Sequence, residues 1–382
     1  MKIYKDSLIL TLKQSFMKKI FQIMFIMLIG IWYYPAPVIS QTKMAATSIV
    51  NQQNGGLFEK DEVLDITLSG NVRDLLYDRY DNVKSHPMQL LYLNDDSTQI
   101  SLKTQMKTRG HFRKLKENCT YPPLSVNFIK SDTLQASLFQ QQRKLKLVMP
   151  CQGDKYIIRE WLAYKIYNLI TPLSFRARLV NIKLADTKSK RTTGFLLGML
   201  LEEEQQMAKR NGSIGVVRKL KPGQTTEKPF LNMAVFEYLI GNTDWSIQYL
   251  QNIKLVAKDS LEVATAVPYD FDHSGIVNAP YALPPQMLEL ASVKERRYRG
   301  FCTTDMTDFN ETIELFNRLK NDIYNLYINC KLIDEKYRKS TISYLDEFYA
   351  TINNPQALAK EFGYPCDKKG TGNVVIKGMK RD

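Results

Sequence analysis

A change of hydrophobic period near residue 156 constrains this chain more than any other feature. Before it, apolar residues alternate with polar ones. Leu64, Ile66 and Leu68 do so. Ile100, Leu102, Thr104 and Met106 alternate against Ser101, Lys103, Gln105 and Lys107. Leu124, Val126 and Phe128 follow, then Leu145, Leu147 and Met149 opposite Lys144 and Lys146. A period of two predicts strands. Over residues 156–170 the period lengthens, and Ile158, Trp161, Leu162, Ile166, Leu169 and Ile170 share one helical stripe. Strand-like runs return at 179–184 and 193–201. A helical stripe through Leu231, Ala234, Val235, Tyr238 and Leu239 is stopped by Gly241. Short β-like runs fall at 253–256 and 263–267. Two helices close the chain, one through Ile313, Phe316, Leu319, Ile323 and Leu326, the other through Tyr337, Ile342, Leu345, Phe348 and Ile352. Asp308 and Glu311 resemble a capping box for the first, and the second is expected to end before Asn354-Pro355. The order β-rich, mixed, α-rich predicts an α+β chain of two lobes.

The N-terminus carries a different signal. Met17-Lys18-Lys19 is a short positive region, residues 20–34 are almost wholly apolar, and Val38-Ile39-Ser40 puts small residues before Gln41. That is the secretory pattern. Residues 1–40 are expected to be a signal peptide, with 1–16 an upstream start extension, and 41–57 a flexible polar leader. The apolar run is too short to span a bilayer comfortably, so a retained anchor is the weaker alternative. No later stretch is long and apolar enough to cross, so no transmembrane segment is expected once the signal is removed. The expected location is outside the cytoplasm, periplasmic or secreted.

Charge narrows the partners. Five lysines and one aspartate leave with residues 1–40, so the formal charge of +14 falls to +10. A basic exported protein favours anionic partners: nucleotides, phosphorylated polymers or an acidic membrane surface. Nucleic acid is not expected, because the charge is spread and no basic stripe is interleaved with stacking aromatics. The cysteines, Cys119, Cys151, Cys302, Cys330 and Cys366, are spaced too widely for a zinc site. An oxidising compartment permits disulfides, and the odd number leaves at least one thiol unpaired. His86, His111 and His273 have no metal-binding spacing, and no nucleophile-elbow Ser motif is present.

The densest polar cluster in an apolar setting runs from Gly241 to Gly275. Asp244 lies just past a helix end, Asn252 opens a short strand, and Asp270 and Asp272 close the next one. Residues two apart on a strand share a face. Two such carboxylates repel unless a cation lies between them, and Mg²⁺ or Mn²⁺ is the natural partner, with Asn252 as a further oxygen ligand. Phosphoryl transfer needs these parts: an Asp to orient the attacking hydroxyl and accept its proton, an Asn and an Asp to hold metal. Tight hairpin turns account for the same residue types by local hydrogen bonding.

The segment Asn242-Thr243-Asp244-Trp245 with Asn252, followed by Tyr269-Asp270-Phe271-Asp272, resembles the core of the CotH-type spore-coat kinase family. Thr108-Arg109-Gly110 with Arg113, then Leu145-Lys146-Leu147, resembles that family's Arg-Gly and Lys region. Tyr156-Ile157-Ile158-Arg159 resembles its Arg-led helix, and residues 198–202 resemble its Gly-to-Glu strand. The similarity covers roughly residues 100–275 in the same order. The whole chain also resembles uncharacterised exported proteins of Bacteroidetes-type bacteria. Two departures stand out: eight positions separate Asp244 from Asn252, more than in the family, and His111 replaces a small polar residue.

The resemblance implies a two-lobed atypical protein-kinase-like fold over residues 58–375, with a β-rich N-terminal lobe at 58–225 and a helical C-terminal lobe at 226–365. It implies ATP with Mg²⁺ or Mn²⁺ and transfer of phosphate to a hydroxyl of an unknown protein acceptor. Asp244 would be the base or hydroxyl-orienting group. Asp270 and Asp272 would bind metal, assisted by Asn252. Lys146 would contact phosphate, with Lys144 on the same face as its rival, and Arg109 and Arg113 would neutralise phosphate charge. Glu202 would pair with the lysine, although Glu203 and Glu204 compete. Two other functions fit the residues: a catalytically inactive envelope or surface binding protein on the same fold, and a carboxylate-based hydrolase of envelope glycan.

Overall fold

The computed structural model describes residues 56–80 and 82–366. The signal-peptide expectation lies outside the described residues, as does nearly all of the expected leader.

The alternating N-terminal residues form strands β1 (Leu64–Gly70), β2 (His86–Leu93), β3 (Gln99–Thr108), β4 (Leu124–Phe128) and β5 (Lys144–Val148). Two short helices interrupt them, α1 (Val72–Tyr77) and α2 (Asp132–Gln135). Helix α3 (Asp154–Ile170) follows, then β6 (Ala177–Asp186), the short β7 (Arg191–Thr192) and β8 (Leu196–Leu201). Strand pairing runs β1-β2-β3-β4-β5-β8-β6, and β6 pairs back onto β1 in parallel, Ile66 opposite Ile182. The sheet is therefore a closed barrel, with β7 hanging from β6. This corrects the expected kinase-type β-rich lobe: a closed barrel is not a typical kinase lobe. The strand-rich N-terminal region, helical C-terminal part and α+β class stand as expected.

The alternation explains the barrel. Ile66, Leu68, Leu90, Leu102, Met106, Leu124, Val126, Leu145, Leu147, Val180, Ile182 and Leu200 are buried together, so one face of every strand fills the interior. Closure demands close approach at Gly198. A Cβ there would stand 2.4 Å from the Ile182 side chain and 2.9 Å from the Val148 carbonyl oxygen. The glycine of the quoted Gly-to-Glu strand thus has a packing role.

Helix α3 is buried on nearly every side, not along one stripe. It lies within a second core, joined by helix α5 (Glu227–Ile240), the outward-facing Val148, Leu179, Met199 and Leu201, and the C-terminal helices α6 (Asn310–Ile328), α7 (Glu335–Ile352) and α8 (Pro355–Phe362). Between them come α4 (Glu204–Arg210) and a small sheet in the order β11-β10-β9, made of β9 (Ile214–Val216), β10 (Ile253–Ala257) and β11 (Thr265–Pro268). Gly241 ends α5 in the left-handed conformation, φ +66°, as its position predicts.

Two local features differ from expectation. Asp305, not Asp308, caps the turn before α6, accepting from the Thr307 backbone N–H. Helix α7 ends at Ile352, before Asn354-Pro355 as expected; Asn354 then caps α8, and Pro355 opens it where no N–H is needed. Strand β11 stops at Pro268, so Asp270 and Asp272 lie in the turn beyond it rather than on the strand.

Disulfides join Cys119 to Cys151 and Cys302 to Cys366, and Cys330 keeps its thiol. The bridges close loops with sequence separations of 32 and 64. Each doubling of a closed loop adds about 0.6 kcal/mol in chain entropy. Replacing the Cys302–Cys366 pair by serine should therefore destabilise the chain by about 0.6 kcal/mol more than replacing Cys119–Cys151. Paired denaturant titrations measure the difference.

Candidate functional site

Arg113, in a single 3₁₀ turn after β3, is the centre of a charged cluster. Its guanidinium reaches three carboxylates: Asp270 Oδ1 at 2.9 Å, Asp272 Oδ2 at 3.2 Å and Glu160 Oε2 at 3.4 Å. Lys146, from the middle of β5, places Nζ 3.0 Å from the same Asp270 oxygen. The barrel therefore supplies the cations. Helix α3 supplies Glu160, and the turn after β11 supplies both aspartates.

The aspartate turn is strained where it matters. Asp270 has φ +66° and Asn252 has φ +50°, a conformation that disfavours side chains with a Cβ and concentrates at functional sites. The strain is held by hydrogen bonds. The Asp270 N–H donates to the Tyr164 hydroxyl, and the Tyr269 N–H donates to the Asn252 carbonyl. Tyr281 donates its hydroxyl to Asp272 Oδ2.

Asp244 lies at the mouth of α5. Its own N–H donates to Asn242 Oδ1. Asn252 Nδ2 donates to both its carbonyl oxygen (2.7 Å) and its Oδ2 (3.0 Å), while Gln251 Nε2 reaches Oδ1. The extra residues between Asp244 and Asn252 are thus accommodated: Ser246 and Gln251 pair as a bridge, and the loop returns Asn252 to Asp244. Behind it, the buried Arg299 donates Nη1 to the carbonyls of Thr243 and Trp245, one on each side of Asp244.

These positions set the charges. Burial pushes Asp270 up, but Lys146 and Arg113 outweigh it and hold the carboxyl well below the ordinary range. Burial pushes Asp244 up; His273 opposes this, and the fields of Asp272 and Asp270 add to it. Burial likewise pushes Glu160 up to about 7, against the pull of Arg113. Burial lowers Lys146, against the pull of Asp270. Glu160 Oε1 has no hydrogen-bond partner among the described residues.

The structure brings together Arg113, Lys146, Asp270 and Asp272. Asp244, joined to Asn252, lies close enough to feel both aspartates. Arg109 is close enough to act on Asp270 and Lys146. Two expected residues stand apart. Lys144 is exposed on the outer face. Glu202 does not pair with the lysine; its buried carboxylate is taken by Arg176 and Arg210, each at 3.0 Å. The sequence reading passed over Glu160, Tyr281 and Arg299. A carboxylate inside the apolar run of α3, directly after Arg159, was the signal for the first; the other two have no comparable signal.

Among the described residues no group of three or more His, Cys, Asp or Glu side chains could hold a metal ion by itself. The aspartates fit a cation in another way. Each turns one oxygen to Arg113 and has no protein donor to its other oxygen among the described residues. Mg²⁺ commonly takes one or two carboxylates and fills its remaining positions with water and substrate phosphates. No helix of the described residues is long and apolar enough to cross a membrane.

No protein-family model and no curated protein matches the chain. Among solved structures it is similar to the crystal structure of a Helicobacter pylori proinflammatory kinase, CtkA, at 13% identity over 62% of this chain and 91% of that one, with a TM-score of 0.37. At that score the site has to be read from its own residues.

Proposed function

We propose that this protein is an exported, atypical kinase-like enzyme that transfers a phosphoryl group from ATP to a protein hydroxyl. The observation that supports it most is the meeting of barrel cations with loop aspartates: Lys146 and Arg113 on Asp270, and Arg113 on Asp272. Phosphoryl transfer depends mainly on positioning and charge stabilisation, and these residues supply both signs of charge in one half-buried place. The two disulfides accord with an oxidising compartment.

In this reading Asp270 and Asp272 would hold Mg²⁺ or Mn²⁺ through their unpaired oxygens, with Asn252 assisting. Bound there, the ion would neutralise charge on the phosphate chain. Lys146, Arg113 and Arg109 oppose phosphate charge from the barrel side. Asp244 orients the acceptor hydroxyl and takes its proton on a carboxylate oxygen; its burial makes it a better base than an exposed aspartate. Asn252 and Gln251 fix that carboxylate, and Arg299 fixes the backbone on both sides of it. Glu160 keeps Arg113 in place. Glu202 and Lys144 have no part.

The full chain incubated with labelled ATP and Mn²⁺ should incorporate label. Asp244→Ala and Asp270→Ala should each reduce incorporation about 100-fold. Equal labelling of all three proteins would refute the enzyme. A second reading, a binding protein on the same fold, is favoured by Arg113, which already neutralises both aspartates. It predicts thermal stabilisation by ATP and Mn²⁺ with no label transferred.

A further inference from the structure

The outer face of β3, β4 and β5 carries Lys103, Gln105 and Lys107, then Ser125 and Asn127, then Lys144 and Lys146, with no acidic residue among them. Register places Ser125 directly between Lys107 and Lys146. Directly opposed side chains on one face are neighbours. Ser125 alternates with Leu124 and Val126, which fill the barrel, so its hydroxyl is on the outside. It is nevertheless only 2% exposed, and its Oγ has no hydrogen-bond partner among the described residues. A buried hydroxyl without a partner is disfavoured. The fold retains one between two lysines. Lys107 makes no ion pair among the described residues, and Lys146 pairs only with Asp270.

We propose that Ser125, Lys107 and Lys146 form an oxyanion subsite that takes one phosphate group of a polyphosphate chain. The hydroxyl donates to a phosphate oxygen, and the two ammonium groups flank it. Lys107 and Lys146 flank Ser125 in register, so rotation of their side chains would open the hydroxyl to the bound group. Lys146 bridges this subsite to Asp270, so the bound group lies beside the aspartate pair. The same chemistry suits the phosphates of a nucleotide and those of an inorganic polyphosphate. The proposal extends the phosphoryl-transfer reading above but concerns binding alone.

Binding of inorganic tripolyphosphate and of ATP to the full chain, measured by calorimetry, separates these cases. Lys107→Gln should weaken tripolyphosphate about tenfold, and Ser125→Ala several-fold. ATP weakened in parallel identifies the nucleotide as the source of the phosphate; ATP unchanged identifies a phosphate polymer. Without ligand, Ser125→Ala should melt at the same temperature as the wild type or higher, because it removes an unpartnered hydroxyl. No tripolyphosphate binding by the wild type, wild-type affinity in both variants, or a lower melting temperature for Ser125→Ala would each overturn the subsite. Loss of label transfer with these binding effects intact would sink the enzyme reading and leave the subsite standing.

Discussion

Arg113→Met should lower the unfolding free energy by about 3–5 kcal/mol, the typical cost of removing one partner from a buried ion pair. The reason is local and specific. Arg113 faces Glu160, Asp270 and Asp272 together, and its own side chain is only 8% exposed. Without it, Asp272 and Glu160 lose the only cation that pairs with them among the described residues, and Asp270 keeps Lys146 alone. Denaturant titration at neutral pH measures the loss. Adding Glu160→Gln to the methionine variant should recover part of it, because one of the stranded charges is then gone. A methionine variant as stable as wild type would show that the three carboxylates are not held by this guanidinium.

Glu160→Gln alone should change how stability depends on pH. Burial raises the Glu160 carboxyl from 4.5 to about 7 in the folded chain. Between those values the folded state binds more protons than the unfolded state, so stability falls as pH rises through that window. The glutamine variant lacks this slope. Relative to wild type it should therefore gain on the order of 3 kcal/mol between pH 4 and pH 8. Asp270 contributes with the opposite sign, since its lowered carboxyl loses stabilisation only as pH falls below 3.8, outside the window. The raised Asp244 is present in both proteins and cancels. Denaturation midpoints at four pH values provide the test, and parallel curves would show that Glu160 titrates like an exposed glutamate.

Much of the fold was legible because periodicity reports burial directly. The alternation at 64–68, 100–106, 124–128 and 145–149 became β1, β3, β4 and β5, and the stripes after residue 310 became α6 and α7. What alternation cannot report is which strand pairs with which. Nothing local in Leu64–Gly70 states that its second neighbour is β6, so the sequence predicts a β-rich lobe without showing that its sheet closes into a barrel. The apolar residues of helix α3 predict a one-sided stripe for a related reason: periodicity does not show that its charged residues are buried too. Arg159 instead donates to the Val277 carbonyl, and Glu160, buried from solvent, accepts from Arg113.

The site divided along the same line. Asp244, Asn252, Asp270 and Asp272 were visible because they crowd into one short stretch, and Arg113 and Lys146 because of motif resemblance. Glu202 was misplaced. The resemblance implies a pairing with Lys146, yet Arg176 and Arg210 reach Glu202 from the segments before β6 and at the end of α4. Arg299 was invisible, since a basic residue in a loop of several others gives no hint that it clamps two carbonyls 54 and 56 positions earlier.

The parallel seam between β1 and β6 also dictates an order of assembly. Asp65 and Asn181 meet across it, 116 positions apart. A chain growing from its N-terminus can zip β1 through β5 by successive antiparallel pairing, yet one side of β1 stays bare until β6 has emerged. During that interval the nascent protein exposes a ready template for another chain's strand. The strand that covers β1 is thus also its safeguard against aggregation, and truncations that end before residue 180 should be found in insoluble material.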